Sequence, residues 1–359
     1  MAFDATKKEW SEVYVLFRLL ADGALTAGTA EGEAGRRWPI VRIAREEHNG
    51  TRYYDIEGER VHLTGEEMDM WVAREDFART ADRIWAALKA SSDDRVESPE
   101  EVEAFLDEVC IYDLEARTDD RTDFYVTFYS TDLPPVGFVV RSRMGVLIPL
   151  LDGGRSANLK FEQTGIRFAA PTVNKVNALA TPGGVADRMR MIERLGGVLR
   201  YSDVADRVFR GNLSMIDLHF PRLVAEMVRT MHLEGITRTD ELVARMIEIN
   251  PLKIKDELIQ KHGFYTFKVK QFLLALAFGM RPAKLYNGTD TAIAGFVMVD
   301  GDGALLGYQK AESDVFADYL FTHSRLEKGP TERDKYGYLE KENGTYYLKL
   351  NLKIGLTKR

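Results

Sequence analysis

The sequence predicts an α+β protein, and three features carry that reading. A capped amphipathic helix opens the chain, runs of period-two alternation recur before residue 165 and after residue 291, and the stretch between is mostly at helical period.

Taken in order, Thr6-Lys7-Lys8-Glu9 forms a capping box, Trp10, Val13, Tyr14, Phe17 and Leu20 follow at helical spacing, and Asp22-Gly23 stops the helix. Strands are expected around Trp38 to Arg45, Tyr53 to Ile56 and Arg60 to Leu63. Glu66 to Ala90 reads as one helix, with Met68, Trp71, Val72, Phe77, Ile84, Trp85 and Leu88 on its buried side. Ser98-Pro99-Glu100-Glu101 starts another, with a Ser cap and Pro in the first turn. Thr122 to Phe128 and Gly137 to Ser142 alternate as the two strands of a hairpin around a Pro-containing turn. Leu151 to Ser156 is a loop and Asn158 to Glu162 a strand; helices follow near 172–180, 184–195, 203–210, 219–233, 239–249 and 264–278. Ile293 to Val299 and Leu305 to Tyr308 flank Asp300-Gly301-Asp302-Gly303, while Tyr336 to Leu339 and Thr345 to Leu352 flank Glu342-Asn343-Gly344, two hairpin signals. The expected regions are 1–170, carrying the hairpin, a helical 171–290, and a β-rich 291–359.

The 359 residues suffice for a large core. No apolar run approaches the roughly 20 residues that cross a membrane, and the N-terminus lacks the apolar stretch of a signal peptide, so a cytoplasmic protein is expected. The lone Cys110 excludes an internal disulfide and a Cys-based zinc site. A net charge of −7 argues against a general polycation but leaves a local DNA cleft open. The six scattered histidines form no His-Glu-x-x-His, and there is no Walker loop and no glycine fingerprint. Asp300-Gly301-Asp302-Gly303 lacks the closing Glu of a calcium loop and reads as a turn.

The hairpin carries the chemistry. Centred near Asp132, it sets Asp123 opposite Arg141. Two readings stay open: a metal-ligating Asp beside a cation, as phosphodiester hydrolysis requires, and an ordinary cross-strand ion pair, the commoner on spacing alone. Glu9 is occupied by capping, which leaves Glu12 on the exposed side of its helix as a second acid; a solvated carboxylate near Lys8 is the competing account. Toward the C-terminus come Arg325, Lys328, Arg333, Lys335, Lys349, Lys353, Lys358 and Arg359, with tyrosines among them. Lys349, Asn351 and Lys353 form a polar row that suits a phosphate backbone, or an edge strand protected by lysines.

Glu9-Trp10-Ser11-Glu12-Val13-Tyr14 with Leu19 to Gly23, Pro39 to Glu47, the hairpin with Gly137-Phe138 and Ser142, Leu195-Gly196-Gly197, Asn250-Pro251-Leu252, Phe272 to Pro282, Asn287-Gly288 and Leu350 to Ile354 occur together, in order, over almost the whole chain. In this the chain resembles the HpaII-type restriction endonuclease family. The resemblance implies a mixed central sheet of the PD-(D/E)xK nuclease type flanked by helices. It implies a type II restriction enzyme that hydrolyses both strands of DNA at a short palindrome, CCGG being the site associated with the family, with Mg²⁺ or a substituting Mn²⁺. A homodimer and a cognate DNA methyltransferase are the implied partners.

By the same resemblance, Asp123 takes the place of the metal-binding Asp, Val139 the acidic place and Arg141 that of the catalytic Lys. Glu12 matches a supplementary metal-binding glutamate, the Val140 carbonyl is a further metal contact, and Lys160 is a relocated replacement for the lysine. Ser142, Arg325, Arg333, Lys335, Lys349, Asn351 and Lys353 are the expected DNA contacts. Arg141 departs from the pattern: a wide guanidinium fork that does not release its proton stands where a compact ammonium is expected. Thr331 to Lys335 also differs from the Ser-rich, Arg-His-containing family version, which bears on the site read. The rival reading is a DNA-binding homologue that has lost cleavage; an unrelated binding protein is the third.

Overall fold

The structure, a computed structural model, describes residues 3–129, 134–288 and 291–357. Asp132, Lys358 and Arg359 lie outside the described residues. A short β1 (Asp4–Thr6) leads into α1 (Lys7–Asp22). The capping box forms as expected: the Thr6 hydroxyl accepts the Glu9 amide at 3.3 Å, the Glu9 carboxylate accepts the Thr6 amide at 2.7 Å, and Gly23 ends the helix at φ 60°. Strands β2 (Ala24–Gly28), β3 (Ala34–Glu47), β4 (Gly50–Glu57), β5 (Arg60–Gly65) and β6 (Met68–Ala73) precede α2 (Arg74–Ala90).

Thus the long helix expected from Glu66 begins only at Arg74. Met68 and Val72 are four apart, a spacing that satisfies both periods. Glu67, at φ 56°, turns the chain so that Met68 to Ala73 pairs with β5, His62 opposite Trp71. After β7 (Arg95–Glu97), α3 (Glu100–Glu108) is capped by Pro99, while the Ser98 hydroxyl bonds Glu103. Strands β8 (Phe124–Phe128) and β9 (Val136–Ser142) form the hairpin.

The middle of the chain holds β10 (Leu151–Asp152), β11 (Asn158–Gly165), α4 (Ala170–Asn177), α5 (Val185–Arg194), β12 (Gly197–Val204), α6 (Arg207–Ile216), α7 (Phe220–Glu234), α8 (Thr239–Ile249), α9 (Asp256–His262) and α10 (Phe264–Ala277). Strand β12 interrupts what reads as a helical run, because it finds β11 as an antiparallel partner. The remainder comprises β13 (Ile293–Val299), β14 (Leu305–Gln309), α11 (Ser313–Thr322), β15 (Ser324–Leu326), α12 (Thr331–Asp334), β16 (Leu339–Glu342), β17 (Thr345–Asn351) and β18 (Lys353–Leu356). The strand expected from Tyr336 therefore starts at Leu339.

Two compact units result, Met1–Ile148 with Thr291–Tyr319, and Pro149–Asp290 with Leu320–Thr357. In the first, a mixed sheet runs β2-β14-β13-β9-β8-β3-β4-β5-β6, with β9 parallel to β13 and β14 parallel to β2. Strand β3 is long enough to pair with β2 through its first half and with β8 and β4 through its second, so the strands close on themselves. Helix α1 is buried along most of its length, and Trp10, Val13, Leu16, Phe17 and Leu20 join Ile43, Phe77, Phe105, Phe124 and Val140 in one core. The second unit holds the sheet β12-β11-β17-β16, the smaller sheet β10-β18-β15 and helices α4 to α10. Among the described residues no helix is long and apolar enough to cross a membrane.

Candidate active site

The β8–β9 ladder ends at Phe124 opposite Phe138. Beyond it the Asp123 amide donates to the Phe138 carbonyl at 2.8 Å, and the Asp123 carboxylate then takes the place of the ladder by accepting the Val140 amide through Oδ2 at 2.6 Å. The register thus brings the carboxylate beside Val140, and the expected Asp123–Arg141 facing pair is shifted along β9. Since the amide and carbonyl of one strand residue face the same edge, the Val140 carbonyl lies on the Asp123 side of β9, away from β13.

The approach to Asp123 is tightly built. Arg121 sits at φ 68°, an uncommon conformation for a non-glycine residue. Asp120 accepts the Thr122 amide at 3.0 Å and the Thr122 hydroxyl at 2.7 Å, and also bonds the Tyr125 hydroxyl. Gly137 is a glycine for want of space: a Cβ there would meet the Ala292 carbonyl and come within 2.7 Å of the Thr122 methyl.

Glu12 arrives from α1. It is 5% exposed, so the expectation that it faces solvent fails. The reason is tertiary, since the sheet covers the side of α1 that its own periodicity leaves polar. The Ser11 hydroxyl contacts the Lys7 carbonyl at 2.6 Å and the Ser142 hydroxyl at 2.7 Å, which pins this turn of α1 to the residue after Arg141.

Burial pushes the Glu12 carboxyl up to about 8; the neighbouring Asp123 charge and then Glu115 add to the rise, while Lys8 and Arg45 oppose it. Asp123 is pushed up to about 6, again chiefly by burial, against the Val140 amide, Arg141, Lys8 and Arg45. Two buried carboxylates, one of them raising the other's proton affinity, form a site that gains from a cation.

Arg141 is buried, with its guanidinium 5.0 Å from the centre of the Phe296 ring. Arg45 is a cation with no role in the sequence-based expectations, and Lys8 enters them only as a neighbour of Glu12. Arg45 is 2% exposed and donates to Glu47 at 2.7 Å and to the Leu114 and Asp113 carbonyls at 2.7 and 3.1 Å. A signal existed: Ile43, Arg45 and Glu47 share the inward face of β3, where charges of opposite sign two residues apart are out of place unless paired. Lys8 lies 3.4 Å from Glu12 and is also hydrogen-bonded to Glu115.

Among the described residues no group of three or more His, Cys, Asp or Glu side chains is placed to hold a metal ion. Two carboxylates and a main-chain carbonyl nevertheless suit Mg²⁺, which keeps several waters and takes one or two carboxylates together with substrate phosphate.

The remaining expected site residues belong to the second unit, apart from Ser142. Lys160 is bonded to Glu342 and stands over the Tyr347 ring at 4.4 Å. Lys349 pairs with Glu340 at 2.7 Å and Glu342 at 3.0 Å, Lys353 with Asp152 at 3.2 Å, Arg325 with Glu327 at 3.0 Å, and Arg333 with Asp334 at 2.6 Å and Asp152 at 2.9 Å. Lys335 lies 3.9 Å from Glu332. Asn351 is buried, and its amide donates to the Gly154 carbonyl at 2.7 Å and to Asn158 at 2.8 Å. The row Lys349-Asn351-Lys353 does not form, because Lys353 begins a separate strand and Asn351 points into the protein.

The profile of the family described as HpaII restriction endonuclease matches residues 6–356. A curated relative, the type II restriction enzyme HpaII of Haemophilus parainfluenzae, is 27% identical over 358 residues, which cover 98% of this chain and 98% of the relative. No solved structure matches the chain.

Proposed function

The chain belongs to the HpaII restriction endonuclease family, and on that premise we propose that it is a divalent-metal-dependent type II restriction endonuclease that cuts both strands of duplex DNA at a short palindrome, with CCGG the first site to test. The observation that carries this reading is the burial of Glu12 on the turn of α1 that Ser11 ties to Ser142, with the Asp123 carboxylate held at the Val140 amide and its charge raising the proton affinity of Glu12. A cation bound between them would relieve both.

Asp123 and Glu12 would hold Mg²⁺, or Mn²⁺ in its place, with the Val140 carbonyl as a third oxygen. When bound, the ion supplies Lewis acidity toward the scissile phosphate. Arg141 acts from behind Asp123: its charge favours the ionised carboxylate, and its seat over Phe296 keeps the guanidinium beside the site. Ser142, through Ser11, holds α1 against β9 and so holds Glu12 near Asp123. Arg325, Arg333, Lys335, Lys349 and Lys353 are the DNA contacts in this reading, each exchanging a carboxylate partner for a phosphate. A palindrome presents two equivalent half-sites, which suits a homodimer, and a cognate methyltransferase would protect the host's own sites.

Incubation with plasmid DNA and Mg²⁺ or Mn²⁺ tests the proposal. Discrete linear products that vanish with Asp123→Ala support it. Arg141 in the lysine's place favours a second reading, a DNA-binding homologue that does not cut. A sequence-dependent gel shift with no cleavage under either metal would select that one.

A further inference from the structure

We propose that Lys8 is the cation that meets the DNA backbone phosphate at this site, supplying from helix α1 the ammonium that β9 lacks; the proposal rests on the nuclease reading above. Lys8 and Arg45 act on both carboxylates, and Arg141 acts on Asp123. Arg45 and Arg141 are 2% and 7% exposed, the first committed to Glu47 and two main-chain carbonyls, the second lying against Phe296. Both act on the carboxylates from inside the protein and are poorly set to reach a phosphate arriving from solvent. The Lys8 side chain is 46% exposed.

Lys8 also lines a depression with Val140, Ser142, Gly145, Val146 and Ile148, so it borders the strand whose Val140 amide is held by Asp123. The backbone beneath it is fixed. The Lys7 amide donates to the Asp94 carbonyl at 2.7 Å, the Lys7 ammonium donates to the Ser91 carbonyl at 2.8 Å, and Ser11 joins Ser142 one turn later. What moves is a flexible stem carrying a compact charge, well suited to a phosphate oxygen.

In the free protein that charge is held by Glu12 at 3.4 Å and by Glu115, whose side chain is 48% exposed. The exposed pair with Glu115 is worth little. A phosphate entering the depression offers a stronger, charge-assisted partner, and Glu115 can return to water. Moving Lys8 off Glu12 also leaves that carboxylate to a metal ion. Lys160 has no such setting within its own unit, where it is bonded to Glu342.

The test compares the full-length protein with Lys8→Gln and Lys8→Arg. Two quantities are read: single-turnover cleavage of plasmid DNA with Mg²⁺, and metal-free binding to a fluorescent duplex from the same plasmid across a salt series. For Lys8→Gln, cleavage should fall about 10²–10³-fold, the loss typical of removing one donor to a developing charge. The slope of log affinity against log salt should flatten by about 0.9, the value for one phosphate contact. Lys8→Arg should recover the slope, and unchanged melting temperatures in both variants tie the losses to the ammonium. Parent-like cleavage by Lys8→Gln, or an unchanged slope, overturns the proposal. If the parent binds without cutting, the slope alone decides. If it neither cuts nor binds, the nuclease reading fails first and Lys8 falls with it.

Discussion

The Asp123 carboxylate accepts the Val140 amide at 2.6 Å, so a side chain completes the hydrogen bonding of β9 where its neighbour strand has left the ladder. This contact does structural work and also fixes one oxygen of the acidic pair.

The two tasks separate by substitution. Asp123→Asn retains an acceptor for the Val140 amide, so its stability should stay within about 1 kcal/mol of the parent while plasmid cleavage disappears. Asp123→Ala leaves that amide without its partner and should cost about 1–3 kcal/mol in chemical denaturation. Equal stability losses in both variants would count against this division.

The acidic pair should make the metal-free protein less stable as pH rises. In the folded state Glu12 is held up at about 8 and Asp123 at about 6. In the unfolded chain both titrate near 4. Between these values the folded state binds more protons than the unfolded one, so stability falls with rising pH, from about 4 toward about 8. Denaturation midpoints at intervals across that range should decline, and Glu12→Gln should flatten the decline. Added Mg²⁺ should restore more stability at pH 8 than at pH 5, because the metal takes the deprotonated carboxylates. A parent midpoint that does not change between pH 5 and 8 would contradict the buried pair.

Arg141→Lys retains the charge but loses the planar face over Phe296. A stability loss of about 0.5–2 kcal/mol is expected from the lost contact, with no gain in cleavage. Faster cleavage by this variant would mean that arginine is a defect at this position, and would shift the catalytic charge from α1 back to β9.

Lys349, in the second unit, is paired with Glu340 and Glu342. As a phosphate contact it should act on all DNA sequences alike, so Lys349→Gln should lower affinity uniformly and reduce the salt slope by about 0.9. A loss confined to one sequence would instead make it a reader of bases.

Much of the architecture was legible because local chemistry and tertiary structure agree there. The Thr6–Glu9 capping box, the Gly23 stop and the alternation of Phe124, Val126 and Phe128 are each fixed by neighbours a few residues away. Met68 to Ala73 is ambiguous in sequence because a spacing of four fits either period, and only the pairing with β5 decides between them. Strand β12 is not legible locally because what makes it a strand is pairing with β11, from Leu159 opposite Val204 to Gly165 opposite Gly197.

The sequence by itself determined that the chain is α+β, that it carries an acid at 123 and a cation at 141 on adjoining strands, and, through an ordered set of short motifs, to which family it is similar. Tertiary structure decided which groups meet. It moved Asp123 from Arg141 to Val140, buried Glu12, brought in Arg45 and Lys8, and gave Lys160 and Lys349 the carboxylate of Glu342. Helical and strand periods follow from backbone geometry that each residue carries with it. Burial and charge pairing depend on segments distant in the chain, and no local period encodes them.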